Sequence, residues 1–372
     1  MKIAVVTGTR AEYGIWCPVL NAIEKAPGLA LQLVVTGMHL QKKFGHTIDH
    51  IKADGRQIAA AVPMYRTGES PARGLSRGTA GLAAAFAKLN PDVVMVLGDR
   101  LEILAAATAA LTQHRIIAHL HGGETAPGQY DEQIRHAVTK MAHLHFCATK
   151  VARRRIVQMG EDPRRVHVVG APAIDSVHGY GTCYTGKPAD RQPTLLLHPT
   201  SPDAALERSR ALMLIDLLLS RFEAPILAVY PNNDPGHQGI LSAYAERAAS
   251  LDLASSRPQY FFWKLLVESG LLVGNSSSGI LEAATLGCAV VNIGDRQAGR
   301  ERSGNVLDVS WKKAEIARAL DRVLSDAAFH RLIMRRRNVY GDGRAAGRIA
   351  GVLKSLNPKT FPRTKRFVDL PR

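Results

Sequence analysis

Apolar runs and amphipathic stretches alternate from the first residues of the chain. "KIAVVTG" is a continuous β-rich run, "GIWCPVLNAIEKA" spaces its apolar positions helically, and "LQLVVTG" returns to strand character. The three predict a strand, helix, strand unit. "LAAAFAKLNPDVVMVLGD" continues as a helix stopped at Asn90 and Pro91 and then a buried strand, and "EILAAATAALTQ" with "IIAHLHGG" repeats the alternation. Strands that are apolar throughout and separated by helices specify a parallel sheet covered on both faces.

The pattern breaks over "GAPAIDSVHGYGTCYTGKPADRQP", rich in Gly and Pro, and resumes with "TLLLHPT", "ALERSRALMLIDLLLSRF", "PILAVYPNN", "GILSAYAERAA", "YFFWKLLVESG", "LLVGN", "GILEAATLG" and "AVVNIG". The expected fold class is α/β, with two doubly wound Rossmann-like domains facing each other across a cleft. The N-terminal domain is expected over 1–172, a linker over 173–193, and a C-terminal nucleotide-binding domain over 194–344. The segment 345–372, helical at its start in "AAGRIAGVLKSL", is expected to join the first domain.

Composition narrows the class. An apolar fraction of 46% with scattered charge excludes a disordered chain. No apolar run reaches the roughly 18 residues of a membrane span, and Arg10 interrupts any signal-like core, so a cytoplasmic location and no membrane partner are expected. The four cysteines stand far apart with no paired spacing, which predicts buried thiols rather than a disulfide framework or zinc knuckle. The formal charge of +16 favours phosphate-bearing ligands. The basic clusters are dispersed and lack a recognition-helix or aromatic-stacking signature, which points to an anionic small molecule and not to nucleic acid.

The most informative stretch is "LLVGNSSSGILEAATLGCAVVNIGDRQAGR". A strand leads into Asn275, Ser276, Ser277, Ser278 and Gly279, and a helix is expected to follow as far as Gly287, so hydroxyls and free N–H groups gather at a strand-to-helix turn. Such a turn can cradle an anion, and it can equally serve only to cap the helix. Glu282 lies one turn further on, where it could accept from ribose hydroxyls or simply favour the helix dipole. Arg296 and Arg300, after the next strand, would add positive charge to the same rim. In the first half, Asp99 ends a strand, and Glu124 and Asp131 lie just beyond the next. Carboxyl ends of strands line the crevice of a doubly wound sheet, so the three carboxylates are expected to converge, although Asp99 and Asp131 could each cap a helix. His39 and His198 each follow a strand and are expected to face the cleft. His119 and His121 alternate and would share a strand face, but no third ligand at a recognisable spacing completes a metal site. His143 and His145 read as core.

"GTRAEYG" at 8–14, "VTGMHL" at 35–40, "LGDR" at 97–100, "HLHGGE" at 119–124, "IRHAVTKMAHLHF" at 134–146, "HP" at 198–199, "GNSSSGILE" at 274–282 and "GDRQAGRE" at 294–301 resemble, in order and over nearly the whole chain, the hydrolysing UDP-N-acetylglucosamine 2-epimerases of the bacterial sialic and legionaminic acid type. The resemblance implies a glycosyltransferase-B-type fold and conversion of a UDP-linked 2-acetamido sugar into UDP and the free 2-epimer. It implies that Ser276, Ser277 and Glu282 contact the diphosphate and ribose, with Arg10 and Arg296 nearby, and its motifs add Arg100, His121, Asn275, Ser278 and Gly279 to the substrate-binding set. His121 stands where eukaryotic relatives often carry Glu, which moves that role to Glu124. "SSRPQYFFWKLL" departs from the usual acidic segment and is a candidate contact for the base or the sugar.

The implied chemistry begins with the leaving group, because the C2 hydrogen of an amino sugar is not adjacent to a carbonyl. Departure of the diphosphate from C1 acidifies that hydrogen, and charge stabilisation at the departing oxygen is then the main catalytic contribution. Loss of the proton gives a glycal, and hydration with protonation of C2 from the other face gives the epimer. Asp99, Glu124 and Asp131 are the candidates for proton transfer, with His39 and His198 placing sugar hydroxyls or phosphate. No metal or nicotinamide is called for, since "GTRAEYG" lacks the spaced glycines of a dinucleotide fingerprint. The expected partners are a UDP-sugar and further copies of the chain, as a homodimer or higher homo-oligomer. N-acetylglucosamine and a 2,4-diacetamido-trideoxy analogue both fit as the sugar, and a non-hydrolysing epimerase or a sugar transferase of the same architecture are the rival readings.

Overall fold

The computed structural model describes residues 1–125, 130–254 and 259–369. The chain divides into two compact units, one of Met1–Ser176 with the segment from Tyr340 onward, the other of Val177–Val339.

Among the described residues, seven parallel strands build the sheet of the first unit: β1 (Lys2–Thr7), β2 (Ala30–Thr36), β3 (Ile58–Val62), β4 (Val93–Leu97), β5 (Ile116–Leu120), β6 (Leu144–Cys147) and β7 (Val166–Val168), in the spatial order β3-β2-β1-β4-β5-β6-β7. The two-residue period of β1 explains why the sheet is covered on both faces. Ile3 and Val5 pack with Trp16, Leu20 and Ile23 of the helix Arg10–Lys25 and with Ile349 and Leu353 of the helix Ala345–Ser355, while Ala4 and Val6 pack with Leu82, Phe86 and the alanines of the helix Leu101–Thr112. Thr9 caps Arg10–Lys25 by accepting from the Glu12 N–H at 3.3 Å, and the Trp16 indole donates to the Val6 carbonyl at 3.1 Å. Asp175 holds the late helix by accepting from the Ala345 and Ala346 N–H groups at 2.9 and 2.7 Å.

In the second unit, six described strands, all parallel, run β8 (Gln192–Leu196), β9 (Ile226–Val229), β10 (Leu251–Ala254), β11 (Gly270–Gly274), β12 (Ala289–Ile293) and β13 (Val306–Val309), ordered β10-β9-β8-β11-β12-β13. Each sheet therefore reverses its winding once, between β1 and β4 and between β8 and β11. Outside the carboxyl ends of strands at such a switch point, the flanking loops part and leave a crevice.

Two segments differ from the sequence reading. The stretch 173–193, expected as a linker, contains most of the helix Pro172–Tyr180, and the boundary between the units falls inside it. Pro172 opens that helix at a position where its missing N–H costs nothing. The helix expected up to Gly287 covers only Ser277–Leu281. Beyond it the chain closes in wider turns, with the Ala283 N–H donating to the Ser278 carbonyl at 3.0 Å and the Cys288 N–H to the Ala283 carbonyl at 3.0 Å. From Glu282 to Cys288 every residue is buried, so no polar face imposes helical periodicity. Among the described residues no helix is long and apolar enough to cross a membrane.

Candidate active site

At the β8/β11 switch point of the second unit, the end of β8 delivers His198 and the end of β11 delivers the serine turn. Asn275 joins them. Its Oδ1 accepts from the His198 N–H at 2.7 Å, its Nδ2 donates to the His198 carbonyl at 2.8 Å, and its own carbonyl accepts from Gln297 Nε2 at 2.9 Å and Arg296 at 3.4 Å. Asn275 is fully buried, so its amide is spent on the scaffold; the expectation that it contacts substrate gives way to a role in fixing His198 and the turn. Gly279 is also scaffold, since a Cβ there would lie 2.9 Å from Val290. Its bare backbone lets the turn lie close on the sheet.

His198 accepts from the Asn232 N–H through Nδ1 at 3.1 Å. Burial, with Arg296 nearby, pushes the imidazole down to about 4. The neutral ring accordingly carries its proton on Nε2, a fixed donor. His198, Ser276, Ser277 and Ser278 line a cavity of about 360 Å³ together with Tyr230, Asn232, Phe261 and Phe262. Ser276 accepts from the Ser278 N–H at 3.4 Å and so caps the short helix. A five-residue helix has little dipole, so the capacity of this turn for an anion rests on its hydroxyls and N–H groups and on Arg296. Arg296 is held 3.8 Å from Asp234 and is repelled by Arg300. Glu282 accepts from Gln259 Nε2 at 2.8 Å, while its other oxygen is buried without a hydrogen bond among the described residues. Burial raises the Glu282 carboxyl, and a donor arriving at that oxygen would relieve the cost. Of the departing stretch "SSRPQYFFWKLL", residues 255–258 lie outside the described residues, and the helix Gln259–Ser269 brings Phe261 and Phe262 to the cavity.

At the β1/β4 switch point of the first unit, Asp99 lies two residues past the end of β4, and His121 directly follows β5 on the neighbouring strand. Arg135, 93% buried on the helix Asp131–Met141, reaches both sides of the crevice: it is ion-paired with Asp99 and lies 3.7 Å from Glu124, whose other oxygen meets His121 Nδ1 at 2.5 Å. Asp99 and Glu124 therefore come together on one guanidinium, and His121 joins the group through Glu124. Sequence reasoning assigned Arg135 nothing, yet it sits in register with the buried Val138 and Thr139. An arginine in the buried stripe of a helix requires an anion to face it.

Asp131, the first residue of the same helix, lines a separate cavity of about 290 Å³ with Arg100, Glu102, Tyr65 and Tyr130. Arg10 is exposed at the start of the helix Arg10–Lys25. His39 does not face a crevice. It is fully buried, with Nε2 3.1 Å from the Thr7 hydroxyl and Nδ1 2.7 Å from that of Thr47, and burial pushes it down to about 4. Both nitrogens are used by the scaffold, which corrects the expected catalytic placement. His119 and His121 do not share a strand face either. β5 ends at Leu120, His121 turns to φ +63°, and His119 is buried between Thr139 and the Gly98 carbonyl. Among the described residues no group of three His, Cys, Asp or Glu side chains is arranged to hold a metal.

The family model described as UDP-N-acetylglucosamine 2-epimerase matches residues 21–354. The chain is 35% identical over 370 residues to a UDP-N,N'-diacetylbacillosamine 2-epimerase (hydrolyzing) of Legionella pneumophila, covering 95% of this chain and 96% of the relative. It is 32% identical over 384 residues to a UDP-N-acetylglucosamine 2-epimerase of Neisseria meningitidis, covering 99% of each. The crystal structure of UDP-GlcNAc 2-epimerase from Neisseria meningitidis bound to UDP-GlcNAc shares the fold, with a TM-score of 0.78 at 18% identity over 96% of this chain and all of the other.

Proposed function

The chain belongs to the UDP-N-acetylglucosamine 2-epimerase family, and from that premise we propose that it is a hydrolysing nucleotide-sugar 2-epimerase, turning a UDP-linked 2-acetamido sugar and water into UDP and the free 2-epimer. The sugar is N-acetylglucosamine or a 2,4-diacetamido-trideoxy analogue, the two classes named for the relatives. In this reading the second unit takes the nucleotide. Ser277, Ser278 and Arg296 hold the diphosphate, the open oxygen of Glu282 accepts from the ribose, Tyr230, Phe261 and Phe262 offer faces to the base, and His198 donates from Nε2 to the departing phosphate or a sugar hydroxyl.

The first unit carries the proton transfers. The C1–O bond breaks with its electron pair leaving on the diphosphate, and a carboxylate removes the C2 proton, whose bonding pair becomes the C1=C2 bond of a glycal. Water adds to C1, giving up a proton, and a carboxyl group protonates C2 from the opposite face. Asp99 and Glu124 are the pair assigned to these steps, with Asp131 as the third candidate and Arg10 and Arg100 as further anion contacts. The observation that carries this assignment is the single guanidinium of Arg135 between Asp99 and Glu124, which fixes two carboxylates at adjacent strand ends.

Incubation with UDP-N-acetylglucosamine and its 2,4-diacetamido analogue in heavy water, followed by NMR of the product, tests the proposal. Free 2-epimer bearing deuterium at C2, formed with stoichiometric UDP, is the expected result. Recovery of an intact UDP-linked epimer would make the enzyme non-hydrolysing, and sugar release only to an added acceptor would make it a transferase.

A further inference from the structure

Two carboxylates of the first unit are buried at the same switch point and belong to none of the steps above. Glu102 is fully buried and Glu12 is 5% exposed. Both face one cation, with Arg100 Nε 3.3 Å from Glu102 Oε2 and 3.8 Å from Glu12 Oε1. Glu12 is anchored from behind by the Gly8 N–H at 2.7 Å. The backbone is pared to admit them. A Cβ on Gly8 would stand 2.8 Å from Glu102 Cγ, and one on Gly37, which has φ +61°, would stand 2.5 Å from Glu102 Oε1. The Oε1 atoms of both glutamates are buried without a hydrogen bond among the described residues. Chance would not keep two carboxylates here, because each must be offset by a partner. Burial, with Glu102 close by, pushes Glu12 up to about 7, which lessens the repulsion within the pair.

Arg100 is the only member of the trio with substantial exposure, and it borders the cavity that also holds Asp131. We propose that Glu12 and Glu102 are positioning residues that clamp the Arg100 guanidinium from below, so that its outer N–H groups meet the anionic part of the substrate in a fixed direction. A guanidinium held on one edge loses little rotamer freedom when a ligand arrives on the other. The inference rests on the reading of Arg100 as a substrate contact, and its test separates the two.

The first measurement is the Arg100 Nε–H resonance in ¹⁵N-labelled full-length protein, assigned by its loss in Arg100→Ala. It should move to the position of a solvated arginine in Glu102→Gln. An unchanged resonance would overturn the clamp. The second is steady-state kinetics with the UDP-sugar for Glu102→Gln, Arg100→Ala and the double variant. Glu102→Gln is expected to raise KM about tenfold, the size of one charge-assisted hydrogen bond, with kcat nearly unchanged. Added to Arg100→Ala, it should change KM by less than about twofold. A tenfold rise in both backgrounds would show that Glu102 acts independently of Arg100 and defeat the proposal. If the resonance moves but Arg100→Ala leaves KM as it was, the clamp holds an arginine that substrate does not touch, and the substrate-contact reading fails. Should Glu102→Gln not fold, Glu12→Gln, which removes the more distant partner, is measured in the same way and is expected to give the same pattern at smaller amplitude. No change in either its resonance or its KM would reject the clamp.

Discussion

Asn275 grips His198 by both main-chain groups, accepting from its N–H at 2.7 Å and donating to its carbonyl at 2.8 Å. A strand end in a parallel sheet has no ladder partner beyond its last residue, and here one amide side chain supplies the missing pair between β8 and β11. Asn275→Ala should therefore cost about 2 kcal/mol of folding stability, since it leaves two partly buried main-chain groups of His198 without their partner. Asn275→Asp should cost at least as much, because a carboxylate cannot donate to the His198 carbonyl. Urea denaturation of both variants measures this, and a loss well below 1 kcal/mol in each would show that water replaces the amide at no penalty.

His198 is poised as a neutral donor. Its ring is pushed down to about 4, so it does not change charge between pH 6 and 8. His198→Asn keeps a donor and His198→Ala removes it. The asparagine variant is expected to retain several times more kcat/KM than the alanine variant, and neither should displace the pH profile in that range. A limb near pH 6.5 that disappears in both variants would instead identify His198 as the titrating group.

The carboxylates on Arg135 give a separable prediction. Asp99→Asn and Glu124→Gln should each lose two or more orders of magnitude in turnover, as expected for a lost general acid or base, while UDP binding measured by calorimetry stays close to that of the unaltered protein. Arg135→Lys replaces a planar fork by a point charge that cannot meet both carboxylates at once, and it should lower kcat without altering UDP affinity. Full turnover in the Asp99 and Glu124 variants would shift the chemistry to Asp131.

The nucleotide cradle is tested by affinity alone. Ser277→Ala removes one hydroxyl at the mouth of the cavity of about 360 Å³, and Glu282→Gln exchanges a buried acceptor with an open oxygen for an amide. Both should weaken UDP binding by roughly three- to tenfold, equivalent to a single hydrogen bond. Unchanged affinity in Ser277→Ala would reduce the turn to a helix cap.

How far the sequence could be read depended on whether the controlling contact was local. β4 and β11 are continuous apolar runs, and β1, β5 and β12 are apolar but for one or two positions, so all five were legible, whereas β3 is "IAAAV" and β10 is "LDLA", too rich in alanine or too short to signal a strand. Asp99 and Glu124 could be brought together in advance because the winding of a parallel sheet sends successive strand ends to one crevice. Arg135 could not be assigned to them from helical spacing alone, since its partners come from two other loops. His39 shows the converse. Its position after β2 suggests a crevice, but Thr7 and Thr47, from segments before and after it, enclose the ring. The Glu12, Glu102 and Arg100 trio was hidden for the same reason, because the room made by Gly8 and Gly37 is a tertiary fact.

That trio leaves a signature in the pH dependence of folding. Glu12 is raised from an ordinary 4.5 to about 7, so between these values the unfolded chain has lost the proton and the folded chain still holds it. The folded state then binds more protons, and stability falls as pH rises: the contribution is complete below about 4.5 and is lost through pH 7, on the order of 3 kcal/mol in all. Glu161 works in the opposite sense. Held down to about 2 by His145, Lys140 and Lys365 against the cost of its burial, it contributes stability above 4.5 that is lost as pH falls toward 2. The two effects occupy different windows, so they can be separated by difference. Glu12→Gln should flatten the decline between pH 5 and 7.5 relative to the unaltered protein and be the more stable of the two at pH 8, while leaving the acid limb in place. Chemical denaturation across this range checks it, and parallel curves for the two proteins would mean that Glu12 ionises in the folded state as easily as in the unfolded chain.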